Sequence, residues 1–236
     1  MLKLRLLLRT ARKSGGFTLV ELLVVIGIIA ILAGVALGPI ANGIKKAKQS
    51  SAMQGAHALG LAMYSYANDN NQLFPDKSGG TAADVAIALL GGSYVTDPSI
   101  FFISGGTATK YTLAATSAAT SLLQTNMSWD FGGNAGNGLS SVNYQYLPIF
   151  WSTVAPAGSG TEPTLGSANG VNTPVTALPG TGNPLGTAGM AVFYINNSSV
   201  FVSSTLVGGV ATCTIIKSSD NQGGAPSTAT VLTGGG

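Results

Sequence analysis

Charge is what this 236-residue chain has least of: 11 Lys or Arg and 8 Asp or Glu, only 8% of its residues, against roughly a quarter in ordinary soluble domains. With a mean hydropathy of +0.38 and 33 glycines and 10 prolines, that scarcity argues against a highly charged cytosolic enzyme and against a charge-driven disordered chain. Membrane association, or a polar but uncharged exported protein, remains. Cysteine is nearly missing as well. The single Cys213 excludes an intramolecular disulfide framework and any multi-cysteine metal site. Histidine occurs once, at His57, and there is no P-loop, GxSxG or HExxH pattern, so no catalytic constellation is recognisable and no enzyme is expected.

The few charges are unevenly placed. Residues 1–16 hold Lys3, Arg5, Arg9, Arg12 and Lys13 without an acid, so the net +3 belongs to this leader and the rest of the chain sums to −2. Beyond position 49 three lysines face seven acids. A chain with that balance offers nucleic acid no basic face, and no such partner is expected.

From Phe17 to Ala41 the sequence reads FTLVELLVVIGIIAILAGVALGPIA, with Glu21 as its one ionisable side chain. As a helix these residues span roughly 37 Å, enough to cross a hydrocarbon core of about 30 Å. The run is too long for a conventional secretory signal, whose apolar region covers about 7 to 15 residues, and Pro39 would spoil cleavage near Gly38. Five cations precede the span and three follow it (Lys45, Lys46, Lys48). This bias predicts a single pass with a cytoplasmic N-terminus and an exported remainder. A carboxylate within such a span is costly and is rarely kept without a partner or a function. Its bland alternative is a first-turn side chain that snorkels to the headgroups. Gly15-Gly16, between the basic leader and the apolar helix, give an accessible backbone that a peptidase could thread.

The stretch Lys13-Ser-Gly-Gly-Phe-Thr-Leu-Val-Glu-Leu-Leu-Val-Val-Ile closely resembles the class III signal of type IV pilins and type II secretion pseudopilins. The resemblance implies that a prepilin peptidase cuts between Gly16 and Phe17 and methylates the new amino terminus on Phe17. It further implies that Glu21, fifth in the mature chain, meets the amino end of a neighbouring subunit in a helical homo-oligomeric filament. Buried together, the two charges offset part of each other's desolvation cost. An inner-membrane platform with its assembly ATPase, and minor pilin-like subunits, are the other implied partners. The family's proline falls one position later here, at Pro39 instead of Gly38. The implied fold is α+β and pilin-like: a long N-terminal helix, transmembrane in its first half, packed on a C-terminal antiparallel β-sheet head.

Ala30, Gly34 and Gly38 recur every four residues, a small-residue ridge that lets helices approach closely, although plain Ala/Gly composition explains it equally well. Ala52, Ala56 and Gly60 repeat the spacing, and Leu59, Ala62, Met63 and Tyr66 form an amphipathic stripe. One helix from about Phe17 to Ala67 is expected, weakened near Pro39 and Gly43. The predicted divisions are a leader at 1–16, a membrane and filament-core helix at 17–41, its amphipathic continuation at 42–68 and an exported head at 69–236.

In the head, Thr81 to Leu90 reads as a short helix capped by Thr81 and ended by Gly91-Gly92. Together with YSYANDNNQLFPD before it and Tyr94-Val-Thr-Asp-Pro-Ser after it, this segment resembles the major, G-type pseudopilins. Strands are expected at Ser99–Ile103, Lys110–Leu113, Val142–Phe150, Met190–Ile195, Val200–Val202 and Val210–Ile216. Alternation through Tyr144, Tyr146, Leu147, Ile149 and Trp151 suits a sheet with one buried face. Residues 152–189 contain five prolines and eight glycines and read as a long surface loop. G-type relatives often carry calcium in a late loop. Asp220 is the one candidate ligand there, and it stands alone where a calcium site takes six to eight oxygens. The resulting expectation is the major pseudopilin of a type II secretion system in a periplasmic pseudopilus. A type IV pilin in a surface fibre is the alternative, and a membrane-anchored exported binding protein or enzyme is a lesser one.

Overall fold

In the computed structural model the described residues are 16–77, 80–111, 122, 124–153, 175–180, 183–216 and 230–232. The chain divides into two units, Met1–Ile44 and Lys45–Gly236. Helix α1 (Leu19–Asp69) contributes to both.

The first unit is the apolar half of α1. Its large side chains are all exposed, from Leu19 at 82% to Ile44 at 55%. This helix is long and apolar enough to cross a membrane. It continues without interruption through Pro39 and Gly43, where weakening is expected. Proline deletes its own donor, and a single lost rung in so long a ladder leaves the remaining bonds in place.

The second unit is a head built on the other half of α1. Here Ala52, Ala56, Leu59, Gly60, Met63 and Ala67 return every three or four residues and are buried. That spacing places them on one helical face. The amphipathic stripe is therefore a packing stripe, with Leu59, Ala62 and Met63 buried and Tyr66 half-buried. Helix α2 (Ala82–Gly91) opens where Thr81 N–H and Oγ1 donate to Asp84 Oδ2 at 2.8 and 3.2 Å. Its Val85, Ala86 and Leu89 enter the same core.

Eight strands follow: β1 (Trp129–Gly133), β2 (Pro148–Ser152), β3 (Val175–Ala177), β4 (Gly189–Tyr194), β5 (Ser199–Ser203), β6 (Thr205–Val207), β7 (Val210–Ile216) and β8 (Thr230–Leu232). They form an antiparallel five-stranded sheet ordered β5-β4-β2-β1-β8 and a three-stranded sheet ordered β3-β7-β6. Registers Phe131↔Phe150 and Phe150↔Phe193 put these rings on one face. Phe150 and Phe193 stack at 5.1 Å and 7°, and Trp129 meets Phe150 edge-on at 5.3 Å. Offset and edge-on pairs of this kind add about 0.5–1.5 kcal/mol beyond their burial. This is the face α1 covers, since Gly60 lies on the Phe193 ring and Gly55 comes near Trp129. On the other face, the Asp130↔Trp151↔Val192 row continues to Val200 of β5, and β7 of the small sheet lies near β4 and β5. There Tyr194 OH donates to Ile215 O at 2.5 Å and Cys213 Sγ to Val202 O at 3.5 Å. The α+β architecture is pilin-like, a long N-terminal helix packed on an antiparallel sheet.

Several expected strands differ. Ser99–Ile103 is mostly a 3-10 turn, Pro98–Phe101, because Pro98 opens it and Asp97 Oδ1 accepts from Ser99 N–H at 2.8 Å. Lys110 and Tyr111 are not in a strand, and 112–113 lie outside the described residues. Of Val142–Phe150 only the end is extended, as β2. Tyr144 turns the chain with φ 54°. Nor does β2 have one buried face: all five residues are buried, in a strand that lies between β1 and β4. Within the expected 152–189 loop, β3 is a strand paired with β7. Residues 154–174 and 181–182 of that segment lie outside the described residues.

Candidate functional site

The residues singled out for chemistry gather at the start of α1. Thr18 immediately precedes the helix and Glu21 is its third residue, the T-x-x-E spacing of a capping box. Both halves of the box form. Glu21 N–H donates to Thr18 Oγ1 at 3.2 Å, while Thr18 N–H and Oγ1 donate to Glu21 Oε2 at 2.8 Å each. Sequence reasoning identified Glu21 and missed Thr18, although the spacing announces the pair.

Glu21 is thus already engaged within its own chain. Its carboxylate satisfies a backbone donor that the first helical turn would otherwise leave open. Any other partner for this carboxylate would have to share or displace a cap of about 1 kcal/mol. Phe17 is exposed at 82%, and Gly16 has open space where a side chain would stand. Downstream, Gly34 and Gly38 also face open space. With Ala30 and Pro39 they belong to a helix half whose whole surface is exposed.

Elsewhere the head shows little that could react. His57 is exposed on α1. Cys213 is buried, and burial pushes its thiol up to about 11. Asp130 is fully buried in β1 and accepts from Thr153 Oγ1 at 2.8 Å. Asp76 has a structural task that sequence reasoning did not see. Its Oδ2 accepts from the backbone N–H of Asn134, Gly136 and Gly138 at 2.5, 3.1 and 3.3 Å, and its Oδ1 from Lys77 N–H at 2.7 Å. One carboxylate therefore ties the loop after β1 to the segment that leaves α1. Among the described residues no three His, Cys, Asp or Glu side chains are grouped to hold a metal ion. Asp220 lies outside the described residues. The sequence holds three N-x-S positions: Asn126 is buried and donates to Thr109 O at 3.0 Å, whereas Asn196 and Asn197 are exposed in the turn after β4.

Comparison with known families finds one match: residues 11–37 fit the prokaryotic N-terminal methylation motif. The matched segment contains Gly16, Phe17, Thr18 and Glu21 and most of the exposed apolar run. It is a class III signal, consistent with the type IV pilin and pseudopilin family, whose members are structural. No curated protein and no solved structure matches the chain at significance.

Proposed function

We propose that this chain is a structural subunit of a helical, pilus-like filament, and within that class the major pseudopilin of a type II secretion system. One observation carries the reading: a methylation-motif helix start, with Glu21 held at the first turn, leads an apolar helix whose large side chains are all exposed. Such a surface is stable only in lipid or against copies of itself. The subunit is stored in the inner membrane with its N-terminus cytoplasmic and its head exported. Prepilin peptidase removes residues 1–16 and methylates Phe17. The platform and ATPase then draw the subunit into the growing filament. In transfer from lipid to filament, Glu21 exchanges its Thr18 partners for the amino group of a neighbour. The subunit itself carries out no catalysis. The short capped helix α2 following α1 supports the secretion assignment through its likeness to G-type pseudopilins.

Intact-mass measurement on protein from cells with active prepilin peptidase tests the class. The expected species lacks residues 1–16 and carries one extra methyl group; a chain retaining Met1–Gly16 refutes it. The second reading, a type IV pilin of a surface fibre, draws on the nearly uncharged Gly-, Ser- and Thr-rich head, which suits a solvent-facing fibre wall. Electron microscopy of material sheared from cells at native expression separates the two. Abundant long fibres of this subunit would overturn the secretion assignment.

A further inference from the structure

A cleft of about 360 Å³ opens where the second unit begins, lined by Lys45, Lys48 and Gln49 of α1, by Gly105 and by the turn from Asn183 to Ala188. That volume lies at the lower end of small-ligand sites. Lys45 and Lys48 are three residues apart, so their side chains share a face of the helix. Lys46 lies off that face and does not line the cleft. Gly105, at φ +116°, gives the cleft a wall of bare backbone. A side chain there would meet Pro184 O at 2.9 Å and Lys48 Nζ at 3.3 Å.

Among the described residues no carboxylate lines this cleft. The head's described acids are engaged elsewhere: Asp69 with Tyr94, Asp76 with the loop after β1, Asp84 with Lys77, Asp97 with Ser99 and Asp130 with Thr153. The one ion pair among the described residues is Lys77–Asp84. Two lysines therefore line a recess with no acid among its described lining residues, an arrangement that favours an anion. Position along the chain selects which anion. Lys45 follows Ala41 by four residues, or about 6 Å of helix rise. If Phe17–Ala41 spans the membrane, the cleft opens at the depth of the phospholipid headgroups.

We propose that this cleft binds the phosphate of an anionic phospholipid headgroup, with Lys45 and Lys48 as its charged donors. The assignment rests on the membrane reading given under Proposed function. A lipid held there would help retain the unassembled subunit in the bilayer and would be released on extraction into the filament.

The test uses the full chain in neutral detergent, titrated separately with phosphatidylglycerol, phosphatidylcholine and inorganic phosphate. Retained ligand is counted by native mass spectrometry. Phosphatidylglycerol is expected to bind at least tenfold more tightly than phosphatidylcholine. Lys45→Gln and Lys48→Gln should each weaken it about tenfold, while Lys46→Gln stays below the fivefold loss that one diffuse interfacial charge explains. Equal losses for all three lysines, or no preference for the anionic lipid, would overturn the proposal. Binding of inorganic phosphate with indifference to lipid would reassign the cleft to a free anion and overturn it too. Flotation with phosphatidylcholine vesicles is read separately. A chain that fails to float disproves the membrane reading, whereas one that floats without lipid selectivity disproves only the cleft. Intrinsic fluorescence of the buried Trp129 and Trp151 verifies that each variant is folded.

Discussion

Gly60 is where helix and sheet come closest, and replacing it with alanine sets two effects of known size against each other. In an open helix interior, Gly→Ala stabilises by about 0.8–1.0 kcal/mol. At Gly60 the added methyl would fall 2.6 Å from Phe193 Cε1 and closer still to Cζ and Cε2. The ring has no room to retreat, because Phe193 is fully buried, stacks on Phe150 at 5.1 Å and meets Tyr64 at 6.5 Å. Overpacking costs about 1–3 kcal/mol, and this overlap warrants the upper end. Gly60→Ala should therefore destabilise the head by about 2 kcal/mol, a fall of roughly 4–8 °C in Tm for a domain of this size. Gly55→Ala is the internal control. Its methyl meets only Trp129 Cζ2, at 3.9 Å. The propensity gain then stands alone, and Tm should rise by roughly 2–4 °C. Both tryptophans are buried in the head, so thermal unfolding followed by tryptophan fluorescence reports on that unit. Gly60→Ala/Phe193→Leu, which makes room for the methyl, should lose less than the two single changes added together. A Gly60→Ala variant as stable as the parent would refute the reasoning and place the helix farther from the sheet.

At the helix start, Glu21→Gln keeps an oxygen that can cap Thr18 but removes the charge. If Glu21 serves assembly as an ion, Gln should abolish filament incorporation as fully as Ala while both variants still insert into membranes; normal filament yield from the Gln variant reduces Glu21 to a cap. Asp76→Ala strips the acceptor from four backbone donors, three of them in the loop after β1, and should cost about 2–3 kcal/mol, with hydrogen exchange rising at Asn134, Gly136 and Gly138; unchanged exchange there would show the loop held by other contacts. With its thiol near 11 and its side chain buried, Cys213 should have only on the order of one part in ten thousand as thiolate at pH 7 and react with thiol reagents only after unfolding. The carboxyls of Asp84, beside Lys77 and Thr81, and of Asp97, beside Ser99, are held below the usual range. Their contribution is fully present above the unfolded-state pKa and is lost as pH falls through the folded one. The Asp84→Asn, Asp97→Asn double variant should therefore show a shallower loss of Tm between about pH 5 and pH 3; an identical acid profile would remove both groups from the account.

The local parts of this molecule were determined by sequence alone. A run of 25 residues with one acid becomes an unbroken exposed helix, because apolar length and helical hydrogen bonding are properties of consecutive residues. The Gly16-Phe17 junction and Glu21 were legible for the same reason, and Val210–Ile216 matched its strand to the residue because its pattern is strong. Tertiary pairing decided the rest. Trp129–Gly133, with an aspartate and two glycines, carries little strand propensity, yet it is central because β2 and β8 complete its ladder from distant positions. The interior place of β2 depends on β4, which begins more than 35 residues later. Asp76 reaches donors about sixty positions away, and Lys45 and Lys48 share a cleft with a turn more than 130 residues later. Sequence order encodes spacing along a helix or strand, whereas the loop that receives a carboxylate, or the wall that a lysine faces, exists only once the chain has closed on itself.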